Sequence, residues 1–78
     1  MKLSYDPKHN IGYLHIQEKT AEVETIRVSD ELNVDLTSDG RIYGIELLNA
    51  NEQLAGVVKG KFIVQNEATG ETVEVGLP

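Results

Sequence analysis

Cysteine and tryptophan are absent from this 78-residue chain, which holds two prolines and one phenylalanine. Without cysteine there are neither disulfides nor thiolate metal sites, and the composition fits a reducing compartment. No run of about 18 apolar residues occurs, so no membrane-spanning helix is expected. The opening Met1-Lys2-Leu3-Ser4-Tyr5-Asp6 lacks the apolar segment of a signal peptide, and the expected location is the cytoplasm. Basic residues are few, 7 against 13 acids, for a net charge of −6. Nucleic-acid binding rests on a basic footprint against phosphates, so neither nucleic acid nor a membrane is expected as a partner.

The acidity is concentrated. Between Glu18 and Glu52 lie nine acids and three bases (Lys19, Arg27, Arg41), while the flanking segments hold four of each and cancel. Such a middle segment suits a basic partner, or serves solubility alone. A chain of this length buries only about 60% of its unfolded surface. Natural proteins of this size lean on disulfides, a metal or self-association for further stability, and here disulfides and thiolate metal sites are excluded.

What the chain does have is a period of two. Leu3 and Tyr5 alternate with polar residues before a turn opened by Asp6-Pro7, where proline's fixed φ suits the second position. Ile11 to Gln17 reads as a strand with Leu14 and Ile16 on one face and Tyr13 and His15 on the other. Glu22 to Ser29 is a third strand, and the odd spacing from Val23 to Ile26 suggests an irregularity there. Leu32 to Leu36 alternates cleanly into Thr37-Ser38-Asp39-Gly40, and Arg41 to Leu48 returns. A type I turn with Gly40 left-handed pairs Thr37 with Arg41 and Leu36 with Ile42. One extra residue at Tyr43-Gly44 then sets Val34 opposite Ile45 and Leu32 opposite Leu47, so burial predicts a bulge at Gly44.

Asn49 to Glu52 has the pattern of a helix start, with the Asn49 side chain as cap and Glu52 at the third helical position. The helix is expected over 50–55, stopped by Gly56. A second hairpin follows, Lys61 to Gln65 against Glu71 to Val75, with Val64 opposite Val73 and Phe62 opposite Val75. Lys59 and Lys61 flank it and discourage edge pairing. The predicted fold is mostly β, α+β at the margin: an antiparallel β-meander of five strands, one short helix near 50–55, then a C-terminal β-hairpin. All of 1–78 reads as one domain, with 2–54 as meander plus helix and 57–78 as a hairpin extension.

No catalytic motif emerges, and neither a cofactor nor enzymatic activity is expected. Ser4, Ser29 and Ser38 sit in no nucleophile elbow. Gly56 to Lys61 is one residue short of a phosphate loop and has Phe62 where a hydroxyl would hold magnesium. Asp35, Asp39 and Glu46 are the carboxylates one could gather around a hard cation, but the loop lacks the Asp-x-Asp-x-Asp-Gly order of a calcium site. Asp35 reads as a residue of a solvated strand face, and His9 and His15 lack metal-ligand spacing. The candidate interaction surface is Tyr13, His15 and Tyr43, with Ile11 and Ile63 extending it if they share the outer face.

Lys2-Leu3-Ser4-Tyr5-Asp6-Pro7, Tyr13-Leu14-His15-Ile16 and the run Val34 to Ala50, with its Asp39-Gly40 and Gly44-Ile45-Glu46, together resemble a prokaryotic family of small proteins, domain of unknown function 2283. The resemblance covers roughly Lys2 to Leu54. Gly12 departs from the larger apolar residue usual there, which thins the core, and the segment 57–78 extends past the typical family end. The resemblance implies no activity, cofactor or catalytic residue. Similar members are often encoded beside other very small proteins, some toxin-like, which implies an interaction or antidote role. The expected function is therefore a small non-enzymatic interaction module, as a homodimer through a sheet edge or bound to a small basic protein. The alternative is a metal-ion or small-molecule binding domain, or a minor enzyme using surface carboxylates.

Overall fold

The computed structural model describes residues 1–18, 22–55 and 62–75. Seven strands and one helix follow in the order β1 (Lys2–Asp6), β2 (Ile11–His15), β3 (Val23–Ser29), β4 (Leu32–Thr37), β5 (Ile42–Leu48), α1 (Ala50–Gln53), β6 (Phe62–Gln65) and β7 (Thr72–Val75). The chain is mostly β, as expected, with a five-stranded antiparallel sheet, one short helix and a C-terminal hairpin. No described helix is long and apolar enough to cross a membrane.

Within the sheet the strands stand in the order β1-β2-β5-β4-β3. The chain runs back and forth through β1–β2 and through β3–β4–β5, and the two runs join where β2 pairs with β5. The connection from β2 to β3 thus passes to the far edge, giving β2-β5-β4-β3 a Greek-key order.

Register follows the hydrophobic pattern. Leu36 pairs with Ile42, Val34 with Ile45 and Leu32 with Leu47, the pairing that alternation demanded. Asp35 pairs with Gly44, so Tyr43 is the extra residue and the bulge lies at the Tyr43-Gly44 step. The turn before it is closed by the Thr37 amide donating to the Arg41 carbonyl (2.8 Å) and the Gly40 amide to the Thr37 carbonyl (2.9 Å). Gly40 takes a φ of 86°, which glycine adopts without steric penalty.

The irregularity of β3 is elsewhere than alternation suggested. Val23 to Arg27 pair regularly with Thr37 to Asn33, and the shift falls between Arg27 and Ser29, around Val28. The odd spacing of Val23 and Ile26 reflects their opposite faces: Val23 faces with Thr37 and Ile26 with Val34.

The hairpin β6–β7 forms a sheet of its own, with Phe62 opposite Val75 and Val64 opposite Val73 as expected. Its turn uses Asn66, whose Oδ1 accepts the Ala68 amide (2.9 Å) and whose backbone accepts the Gly70 amide (2.7 Å). The proposed Gly56 stop and the flanking Lys59 and Lys61 lie outside the described residues.

The start of α1 corrects one expectation. Asn49 precedes the helix in a left-handed conformation (φ 52°) and makes no side-chain cap. Its amide instead donates to Glu31 and Glu52 (both 3.0 Å). The cap comes from Asn10, in the turn after β1. Its Oδ1 accepts the Asn51 amide (2.7 Å), and its carbonyl accepts the Ala50 amide (3.0 Å). A side-chain oxygen on a free helical N–H is what a cap requires, whatever its distance in sequence.

Candidate interaction surface

Paired residues share a face of the sheet, so the register sorts the side chains into two surfaces. On one face stand the rows Lys2–His15–Gly44–Asp35–Thr25 and Ser4–Tyr13–Glu46–Asn33–Arg27. On the other stand Leu3–Leu14–Ile45–Val34–Ile26 and Tyr5–Gly12–Leu47–Leu32, with Leu36 and Ile42 beyond them.

The polar face is organised around Tyr13. Its hydroxyl donates to Asp35 Oδ2 (2.5 Å), while Thr25 donates to Asp35 Oδ1 (2.6 Å). To reach Asp35 the ring leans over Gly44: a β-carbon there would fall 2.5 Å from its Cε1 and Cζ atoms. Glycine is required at 44 by this close approach. Burial, and after it the hydrogen bond to Asp35, pushes the Tyr13 phenol above its ordinary value of 10.0. The His15 ring lies against Tyr13 with centroids 4.4 Å apart and planes tilted by 58°. Tyr43 stands at the bulge, and its carbonyl accepts the Ile16 amide (2.9 Å). The structure thus sets the rings of Tyr13 and His15 in contact and places Tyr43 at the bulge beside Gly44. Ile11 shares their face beside Leu48, whereas Ile63 stands on β6 in the other sheet.

Asp35 is no solvated strand carboxylate: it is half-buried, and both its oxygens accept hydrogen bonds. The other two candidate carboxylates have separate partners. Glu46 accepts from Asn33 (2.9 Å), and Asp39, in the turn, accepts from Thr37 and pairs with Arg41 (3.5 Å). The Thr37 hydroxyl first, then the backbone amide of Asp39 itself and the Arg41 charge, hold the Asp39 carboxyl below the ordinary range. His9 bonds Asp6 (2.7 Å), whose carboxyl is lowered chiefly by that bond. Among the described residues no three histidines or acids gather as a metal-binding group. A shallow depression of about 250 Å³ at the end of the sheet is lined by Met1, Lys2, His15, Gln17 and Glu18.

The apolar face is where burial falls short. Helix α1 lies over the Gly12–Leu47 row, and a β-carbon at Gly12 would stand 2.6 Å from Leu54 Cδ1 and 3.5 Å from Ala50 Cβ. The small residue thus admits the helix, and Leu54 fills the space that a larger side chain would take. Ala50 is the one fully buried apolar side chain among the described residues. Leu3, Leu14, Val34, Leu36 and Ile45 are half-buried, and Ile26 and Ile42 are exposed at 41% and 43%. The asparagine cluster that seats the helix, in which Asn10 also bonds Asn51 Oδ1 (2.7 Å), escaped sequence reasoning because its members are 41 residues apart.

No curated protein and no solved structure matches this chain. A family model does, over residues 2–51, which span β1 through β5 and the start of α1. On that match the chain belongs to the family described as Protein of unknown function (DUF2283).

Proposed function

We propose that this chain is a non-enzymatic interaction module that works by self-association. The observation that carries the reading is the apolar face. Seven aliphatic side chains stand on it outside the row that α1 covers, five of them half-buried and two exposed. Leaving such a surface in water forfeits about 25 cal/mol for every Å² of it. Contiguous exposed apolar patches of more than a few hundred Å² mark association sites on small soluble proteins.

A second copy is the occupant that supplies an equally apolar surface and closes by a two-fold axis. The polar face supports the non-enzymatic part. Asp35, Glu46 and Asp39 are each engaged by neighbouring side chains, and Tyr13 spends its hydroxyl on Asp35. Such satisfied networks rigidify a sheet.

The test is sedimentation equilibrium of the purified chain at micromolar concentration. The expected mass is twice the 8.6 kDa of one chain. A single species at 8.6 kDa throughout the concentration range overturns the reading. Pairing through the exposed backbone of edge strands β1 or β3 is the other route to a dimer, and charged substitutions on the apolar face distinguish it by leaving it intact.

A further inference from the structure

Four aspartates stand in this chain, followed in turn by Pro7, Glu31, Leu36 and Gly40, and no asparagine precedes a glycine. Asp39 is therefore the one aspartate or asparagine whose following backbone nitrogen has no side chain beside it. Its carboxyl is 65% exposed, and nothing stands within 4 Å of the place a β-carbon at Gly40 would take. A nucleophile tethered this closely to an electrophile has a high effective concentration.

We propose that Asp39–Gly40 is the point at which this chain isomerises spontaneously to isoaspartate, and that Thr37 restrains the reaction in the folded state. The step needs only solvent. The Gly40 nitrogen forms a bond to Asp39 Cγ, and its proton leaves with the carboxyl hydroxyl as one water molecule. Water then adds to either carbonyl of the five-membered ring and breaks that carbon's bond to nitrogen. Opening at Cγ restores aspartate. Opening at the backbone carbonyl leaves the main chain running through the side chain, with the mass of the protein unchanged.

The turn holds both reacting groups. The Gly40 amide donates to the Thr37 carbonyl (2.9 Å), so the proton it would lose is engaged. The Thr37 hydroxyl donates to Asp39 Oδ1, and Arg41 Nε stands 3.5 Å from Oδ2. These partners favour the ionised carboxylate, which has no hydroxyl to lose and is the poorer electrophile. Thr37 thus meets the nucleophile through its carbonyl and the electrophile through its hydroxyl. Isoaspartate would add one carbon to the main chain of a turn closed by the Thr37 amide on the Arg41 carbonyl (2.8 Å). That closure precedes the Leu36–Ile42 pair, so the lesion acts on the register of β4 and β5.

Cleavage after Arg27 and Arg41 yields one peptide, 28–41, that carries Asp30, Asp35 and Asp39 together. The full-length chain is incubated at neutral pH and cleaved, and the peptide is fragmented by electron transfer to locate isoaspartate. In the wild type it should accumulate at Asp39 ahead of Asp30 and Asp35, and faster in denaturant than in the folded chain. Thr37→Val should raise the folded rate at Asp39 about fivefold, the factor that one hydrogen bond is worth. Thr37→Ser, which keeps the hydroxyl, should hold the wild-type rate. An isoaspartate content at Asp39 no greater than at Asp30 overturns the site. Equal rates in wild type and Thr37→Val, or in folded and denatured wild type, overturn the restraint. So does a rise in Thr37→Val shared by Asp30 and Asp35, which marks unfolding of the whole chain.

Discussion

The ring of Tyr13 occupies the space above Gly44, so that one residue's missing side chain is filled by its neighbour's phenol. The two are diagonal, not paired: Tyr13 stands opposite Glu46, and Gly44 opposite His15 on β2 and Asp35 on β4. Gly44 therefore gives Tyr13 its path to Asp35, and the bulge at Tyr43 places glycine at the crossing.

Gly44→Ala should destabilise the chain by about 1–3 kcal/mol, the usual penalty for forcing a methyl group into an occupied site. An aromatic ring cannot yield as an aliphatic tip does. Chemical denaturation measures the loss, and an unchanged midpoint would show that the ring is free to move aside.

Tyr13→Phe keeps the ring over Gly44 and removes only the hydroxyl. Asp35 retains Thr25, so the expected loss near neutral pH is about 1 kcal/mol. The pH dependence carries the sharper sign. Because the folded phenol is held above 10.0, the unfolded chain releases its proton first, and this contribution is full below that value and declines as pH rises past it. Wild type should thus lose stability above about pH 10 more steeply than Tyr13→Phe. Parallel declines would contradict this account.

Thr37→Val tests the turn. The hydroxyl of Thr37 is the chief reason that the Asp39 carboxyl lies low, so its removal should move that carboxyl up towards 3.8. A depressed carboxyl stabilises the fold above its ordinary value and stops doing so as pH falls below it. Carboxyl-detected NMR titration reads the shift at Asp39 alone, and no upward movement would mean that the Thr37 hydroxyl is not what holds it low.

Asn10 is both a left-handed residue (φ 56°) and the cap of α1, and two variants separate these roles. Asn10→Gly keeps the backbone and loses the cap, for about 1 kcal/mol. Asn10→Ala adds the strain of a β-carbon at positive φ and should be worse. Thermal melting ranks them, and equal melting points would mean that backbone conformation contributes nothing.

Much of this molecule could be read along the chain, and the failures have a common cause. The turn at Thr37–Arg41, the Val34–Ile45 pairing and the Phe62–Val75 hairpin were legible because local turn chemistry and a period of two constrain neighbours in sequence. Asp35 was misread as solvated because Tyr13 reaches it across β5, and nothing local shows that β2 pairs with β5. The same pairing brings Asn10 to α1, which is why Asn49 looked like the cap. The Val28 irregularity was sought at Val23 because alternation alone does not say which face each residue takes.

The β2–β5 seam has a kinetic meaning as well. The hairpin β1–β2 and the run β3–β4–β5 each close over short loops, but Ile11 must find Leu48 across most of the intervening chain. Non-local pairing spends loop-closure entropy before any contact returns it, and such steps set folding rates. The expected slow step in folding is therefore the pairing of β2 with β5. Substitutions along the seam, at Ile11 or Leu47, should slow refolding, whereas those inside the hairpin or the run should chiefly hasten unfolding.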